Sequence, residues 1–374
     1  MSDFIRRGSV LLVAAAVGLT GCSKIADVES TQRGFRGVGL VQLEDRSAAA
    51  ATRAANVAPA ALPAVQAEGP LASDVYQNIQ VLKDLTVPEF TRIMTAMTAW
   101  VSPEQGCGYC HVGDDLASDN VYTKVVSRRM LEMTRHINGN WKTHVGETGV
   151  TCYTCHRGKN VPLDIWFKDP GPREARGLMR GRAGQNTPAP AVGLTSLPFD
   201  PFERFLRGPN DIRVVSTAAL PSGSRGPSIK YAEATYAMMM HMSQALNVNC
   251  TYCHNTRSFA AWDQSSPQRT TAWYGIRLVQ DLNANYLEPL QPEFPANRLG
   301  PTGDVPKTNC ASCHKGAYQP LFGAQMAKDY PELHPPVPRA APTEATPEGM
   351  MAPDPAVEGS TTPPAAGEEP AQGT

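Results

Sequence analysis

Opposite charges nearly cancel in this chain of 374 residues: 34 lysines and arginines against 35 aspartates and glutamates leave a formal net charge of -1. That balance excludes the broad basic surface that a nucleic-acid-binding protein needs, so no nucleic-acid partner is expected. Also missing is an apolar run long enough to cross a bilayer, which takes about 20 residues; the stretch Val10 to Leu19 is too short. Long regular sheets are not expected, because 33 prolines and 31 glycines interrupt the chain, many of them near its ends. A 41% apolar content still suffices for a buried core in one large or two modest domains.

Arg6 and Arg7 followed by the Val10 to Leu19 run read as an export signal over residues 1–21. The tetrad Leu19-Thr20-Gly21-Cys22 resembles the processing site of bacterial lipoproteins, which implies that Cys22 is lipidated. At about 0.8 kcal/mol per buried CH₂, two or three acyl chains would anchor durably where one would not. The expected location is the periplasmic face of the cytoplasmic membrane.

Nine cysteines in an exported chain would ordinarily suggest disulfides. Eight of them instead fall in four copies of C-x-x-C-H: Cys107/Cys110/His111, Cys152/Cys155/His156, Cys250/Cys253/His254 and Cys310/Cys313/His314. Two thiols three residues apart reach the two vinyl groups on one porphyrin edge, and the next histidine turns its imidazole onto the iron. A zinc site or a thioredoxin-like pair needs no histidine directly after every second cysteine, so neither explains the pattern. Four covalently bound haems c are expected.

Residues 22–72 are expected to form an extended N-terminal segment, with a glycine-rich loop at Thr31–Gly39 and an Ala/Pro-rich linker from Ala48 to Pro70. Residues 335–374 read as a disordered Pro/Ala-rich tail. Between them, at 73–334, a methionine-bearing helix and a short turn precede each C-x-x-C-H. Thr86-Val-Pro-Glu89 is a capping box for the first helix. The second is expected from about Asn120 to Ile137, stopping at Asn138-Gly139, and the third from Ser228 to Leu246. The fourth should start at Ser266-Pro267 and reach about Leu287. The motifs thus pair into a half at about 73–158 and a half at about 228–334, joined by a Pro/Gly-rich connector at 159–227. Ile137-Asn-Gly-Asn-Trp141 reads like Leu282-Asn-Ala-Asn-Tyr286, so a pseudo-twofold internal repeat is expected.

Four irons need up to four distal ligands, and methionine sulfur and histidine nitrogen are the candidates. Met94 lies 17 residues before His111, Met130 lies 26 before His156, and Met239 lies 15 before His254. Met97, Met133, Met238, Met240 and Met242 remain as alternatives or as packing neighbours. No methionine lies between Met242 and Met326, and the position matching Met130 in the fourth helix falls near Gly275. The iron at His314 must be ligated from elsewhere or stay open, and His144, just past the second helix, is the natural donor. His136 and His241 read as surface or supporting groups.

Several stretches, including Arg33-Gly-Phe-Arg-Gly37, Ala96-Met-Thr-Ala-Trp100, Arg129-Met-Leu-Glu-Met-Thr-Arg135, Asn140-Trp-Lys-Thr-His144, Val150–Gly158, Val248–Asn255 and Pro320-Leu-Phe-Gly323, carry a family likeness. Over most of Cys22 to Phe322 the chain resembles the tetrahaem cytochrome subunit of purple-bacterial photosynthetic reaction centres. Position by position, the resemblance places distal ligands on Met94, Met130, Met239 and His144, and a lipid on Cys22. Arg269 matches an arginine that the family sets beside the third haem, implying either a propionate partner or a solvated residue at a helix start.

The resemblance implies an electron carrier, not an enzyme, since six-coordinate irons leave no vacant position for a substrate. A soluble cytochrome c or high-potential iron-sulfur protein would reduce it, and it would re-reduce the bacteriochlorophyll pair held by the L and M subunits, with the H subunit associated through them. The alternative is a membrane-anchored multihaem shuttle to a terminal reductase. The fold implied is mainly α, with short helices packed on four haems, long irregular loops and little β.

Overall fold

The structure, a computed structural model, describes residues 27–33, 40–170, 189–209, 212, 214 and 229–336. The expected signal segment, Cys22, about half of the connector and nearly all of the tail lie outside the described residues. Helix predominates among the described residues, and the only sheet there is the antiparallel pair β1 (Val28–Arg33) and β2 (Leu40–Asp45). No helix among them is long and apolar enough to cross a membrane.

Helix α1 (Arg46–Ala55) follows β2 directly, because the Asp45 carboxylate caps the amides of Ser47 and Ala48 at 3.0 Å each. The expected Ala48 to Pro70 linker therefore begins as a helix. Six of its ten residues are alanine, the strongest helix former, and that preference outweighs the small area buried. The remainder is held by Arg92 of α2 (Val87–Val101), whose guanidinium donates to the carbonyls of Leu62 and Pro63 and of Asp329, and pairs with the buried Glu332 at 2.9 Å. The capping box that opens α2 is formed: the Glu89 carboxylate accepts from the Thr86 amide (2.8 Å) and hydroxyl (2.7 Å). Ile93, Ala96 and Trp100 of α2 are buried with Leu82, Leu85, Leu131, Tyr330 and Leu333.

Helix α3 (Tyr122–Asn140) does not stop at Asn138-Gly139. A Cβ on Gly139 would stand 2.4 Å from Cγ of Pro335, so this glycine permits close approach and does not end the helix. Helix α4 (Cys152–His156) is the second motif itself, α5 (Ile229–Leu246) precedes the third, α6 (Pro267–Leu282) continues through a π turn to Leu287, and α7 (Cys310–His314) is the fourth motif.

The C-terminal ends of α3 and α6 pack on each other. Ile137 and Met133 meet Leu278 and Leu282, with Trp141 and Tyr286 at the margin. The Asp281 carboxylate accepts from His136 Nε2 (2.7 Å), Trp141 Nε1 (2.8 Å) and Asn285 Nδ2 (2.6 Å). Met133 and Leu278, His136 and Asp281, Ile137 and Leu282, and Trp141 and Tyr286 are each 145 residues apart.

Candidate functional site

In all four motifs the histidine Nδ1 is tied to a backbone carbonyl: His111 to Leu116 (3.0 Å), His156 to Lys159 (2.9 Å), His254 to Phe259 (3.0 Å) and His314 to Ala317 (2.9 Å). A donor at Nδ1 fixes the tautomer and leaves the Nε2 lone pair for a metal. Burial lowers the basicity of His156 and His254 and takes His314 down to about 4, so these rings stay in the neutral, metal-binding form. Burial also pushes the thiols of Cys152 and Cys310 up to about 12 and that of Cys253 to about 11.

The motifs come in two alternating forms. The first and third are 3₁₀ turns, Gly106–Tyr109 and Cys250–Tyr252, whose histidine bonds five residues ahead. In each, a hydroxyl at the start of the next helix donates to the motif tyrosine carbonyl, Thr123 to Tyr109 and Ser266 to Tyr252. Ser266 is thus spent on Tyr252 and does not cap its own helix by side chain. The second and fourth motifs are the helices α4 and α7, opened by capping boxes at Thr151/Thr154 and Asn309/Ser312 and closed by left-handed Arg157 (φ 51°) and Lys315 (φ 48°). Their histidines bond three residues ahead.

Sequence reasoning missed a pair of buried amides that hold the entry to α4 and α7. Asn138 donates to the carbonyls of Val150 (3.0 Å) and Leu333 (2.9 Å) and accepts from the Val150 amide (2.7 Å). Asn283 donates to Leu206 (2.8 Å) and Thr308 (3.1 Å) and accepts from the Thr308 amide (2.9 Å). Val150 and Thr308 each stand two residues before a motif cysteine. Both asparagines lie in the Ile137–Trp141 and Leu282–Tyr286 likeness, which was the available signal.

The first two motifs line one cavity of about 780 Å³, together with Met94, Met130 and the alternatives Met97 and Met133. The Met94 and Met130 carbonyls accept the hydroxyls of Thr98 (2.9 Å) and Thr134 (2.8 Å), a bond the alternatives cannot make, having Val101 and Ile137 four residues on. In the second half Met238 is fully buried in the core with Phe205 and Leu206, while Met239 packs at that core's edge.

His144 lies where the sequence called for a fourth distal ligand. Its Nδ1 is tied to the Thr271 carbonyl (2.9 Å), burial keeps the ring neutral, and its ring centroid is 6.1 Å from that of His314. With each ring nitrogen about 2 Å from a metal, two imidazoles sharing one iron would stand roughly this far apart. Gly275 makes the room. The sulfurs of Cys155 and Cys313 are 2.7 Å apart, so the second and fourth motifs adjoin, although this is well beyond an S–S bond of about 2.0 Å.

Arg269 stacks on Trp262 at 4.0 Å and donates to the Ala261 carbonyl and the Ser265 hydroxyl, close enough to Cys253 and His254 for its charge to act on both. His136 is taken up by Asp281. His241, expected to be a surface or supporting residue, is buried edge-on against Phe202 at 4.6 Å, and its Nε2 has no partner among the described residues. A buried imidazole edge without a partner beside the fourth motif, like the cavity at the first two, fits a chain folded around a further group.

Residues 24–334 match the family model described as the photosynthetic reaction centre cytochrome C subunit. The chain is 53% identical over 333 residues to the photosynthetic reaction center cytochrome c subunit of Rubrivivax gelatinosus, covering 89% of this chain and 90% of that one. It is 52% identical over 324 residues to the subunit so named in Thermochromatium tepidum, covering 87% and 79%. With that of Roseobacter denitrificans it shares 45% identity over 275 residues, covering 70% and 73%. Four histidines with tied Nδ1 atoms, each beside two thiols, and likeness along most of the sequence agree: the chain belongs to the family of photosynthetic reaction centre cytochrome c subunits.

Proposed function

We propose that this chain carries four covalently bound haems c and relays electrons from a soluble periplasmic donor to the photo-oxidised bacteriochlorophyll pair. It is an electron-transfer protein that serves the reaction centre. The observation that carries the fourfold reading is the recurrence, at all four C-x-x-C-H motifs, of an imidazole fixed through Nδ1 with Nε2 left to bind. Haem iron at each motif supplies a one-electron couple.

The chain's own residues do the rest. Each cysteine pair tethers a macrocycle, and His111, His156, His254 and His314 supply the proximal nitrogens. Met94, Met130 and Met239 supply thioethers that raise the potentials of their sites, whereas His144 gives the site at His314 a lower, bis-histidine character. Arg269 offers its guanidinium to a propionate at the third site. The two alternating motif forms and the asparagine clamps 145 residues apart support an internal duplication, with its pseudo-twofold contact at α3 and α6.

Lipid on Cys22 would hold the domain on the periplasmic face of the membrane, against the L and M subunits and, through them, H. The donor would be a small cytochrome c or a high-potential iron-sulfur protein. Flash excitation of membranes containing the protein tests the role: haem oxidation should keep pace with re-reduction of the pair. No light-induced haem oxidation would sink it.

A further inference from the structure

We infer that Lys124 sets the potential of the site at His111, acting through the carbonyl of Leu116. The inference rests on the reading that His111 binds a haem iron. Lys124 lies in the first turn of α3, is buried, and lines the cavity that His111 and Met94 share. Its Nζ donates to the carbonyls of Leu116 (2.8 Å) and Ser118 (2.9 Å), with the exposed carboxylate of Asp119 at 3.4 Å.

Leu116 is also the acceptor for His111 Nδ1. A carbonyl oxygen has two lone pairs, so one oxygen serves both donors. A cationic donor draws electron density from that oxygen, and the imidazole N–H then meets a weaker acceptor. The ring keeps less imidazolate character and stabilises the oxidised iron less. The ammonium adds a positive charge that the exposed Asp119, which also pairs with Arg128, offsets only in part, and it favours the electron-rich state. Both effects raise the potential of this site.

The second half lacks this coupling. Arg269, 145 residues after Lys124, donates to Ala261, eight residues before it, just as Leu116 stands eight before Lys124. His254, however, uses Phe259. The two residues by which the 254–269 segment exceeds the 111–124 segment separate the cation's acceptor from the histidine's. Lys124 is therefore a positioning residue of the first site specifically.

The test is a spectrally resolved redox titration of membranes holding the full-length wild type, Lys124→Met and Lys124→Arg, with the haem count taken by mass. Lys124→Met should shift the reduced-to-oxidised ratio of one haem about tenfold towards oxidised, equivalent to 59 mV for one electron. That haem should be the one whose α-band changes in Met94→His, and Lys124→Arg should recover most of the shift. Four unchanged potentials, or a common shift of all four, would overturn the inference. A wild type with fewer than four haems and no band sensitive to Met94→His would instead remove the reading beneath it, and the inference with it.

Discussion

The imidazole of His144 rests against the α-carbon of Gly275: a methyl group there would stand 2.5 Å from Cε1 and 2.9 Å from Nδ1. In the first half the matching helix position carries Met130. In the second half the helix gives up its side chain and a histidine from the other half takes the space. Gly275→Ala gains about 1 kcal/mol of helix propensity but meets an overpacking cost of about 1–3 kcal/mol. Because the clash is with a ring held at Nδ1, overpacking should win. The haem at His314 should lose its bis-histidine signature by low-temperature electron paramagnetic resonance, with the other three spectra retained.

His144→Ala and Met94→Ala should separate the sites. The first should alter only the haem at His314, and the second only the haem at His111. Redox titration of each variant in membranes decides it, and a shared target would break the ligand pairing.

Asn138→Ala should cost about 2–3 kcal/mol, because it leaves the Val150 amide and two carbonyls without partners in the interior. Asn283→Ala should cost a similar amount through Thr308. Thermal unfolding of the two holoproteins measures this, and the spectral change accompanying each should fall on the second haem for Asn138 and the fourth for Asn283.

Arg92→Met strands Glu332 in the interior and should destabilise by about 3–5 kcal/mol. The double variant Arg92→Met/Glu332→Leu should be less destabilised than the single one. Chemical denaturation provides the comparison.

Acid should loosen the contact between α3 and α6. Burial opposes ionisation of Asp281, but hydrogen bonds from Asn285, His136 and Trp141 outweigh it and hold the carboxyl below its ordinary value. The folded value being the lower one, Asp281 adds stability that is fully present above its unfolded pKa of about 3.9 and is lost as pH falls through the folded value. Melting temperature should drop below about pH 4 in the wild type, and the drop should be shallower in Asp281→Asn.

The parts of this protein written in local pattern could be read directly. The four C-x-x-C-H runs, the Thr86 capping box and the α5 boundaries need only neighbours in sequence, and they appear as expected. What escaped depends on distant partners. Asn138-Gly139 has the form of a helix stop, yet Val150, Leu333 and Pro335 give both residues other employment. The Ala/Pro-rich linker looked empty because the charge that holds it, Arg92, belongs to another element. His241 gave no sign of its burial, since a histidine among four methionines fits either face of α5.

The Nδ1 bonds differ in reach, and that difference orders assembly. Those of the motif histidines close within three or five residues, so each ring can be set by its own short segment before the rest of the chain has folded. His144 depends on Thr271, 127 residues away. With His144 as the proposed fourth distal ligand, that axial position would be completed only after the two halves have found each other, which would make its ligation a built-in readout of correct maturation.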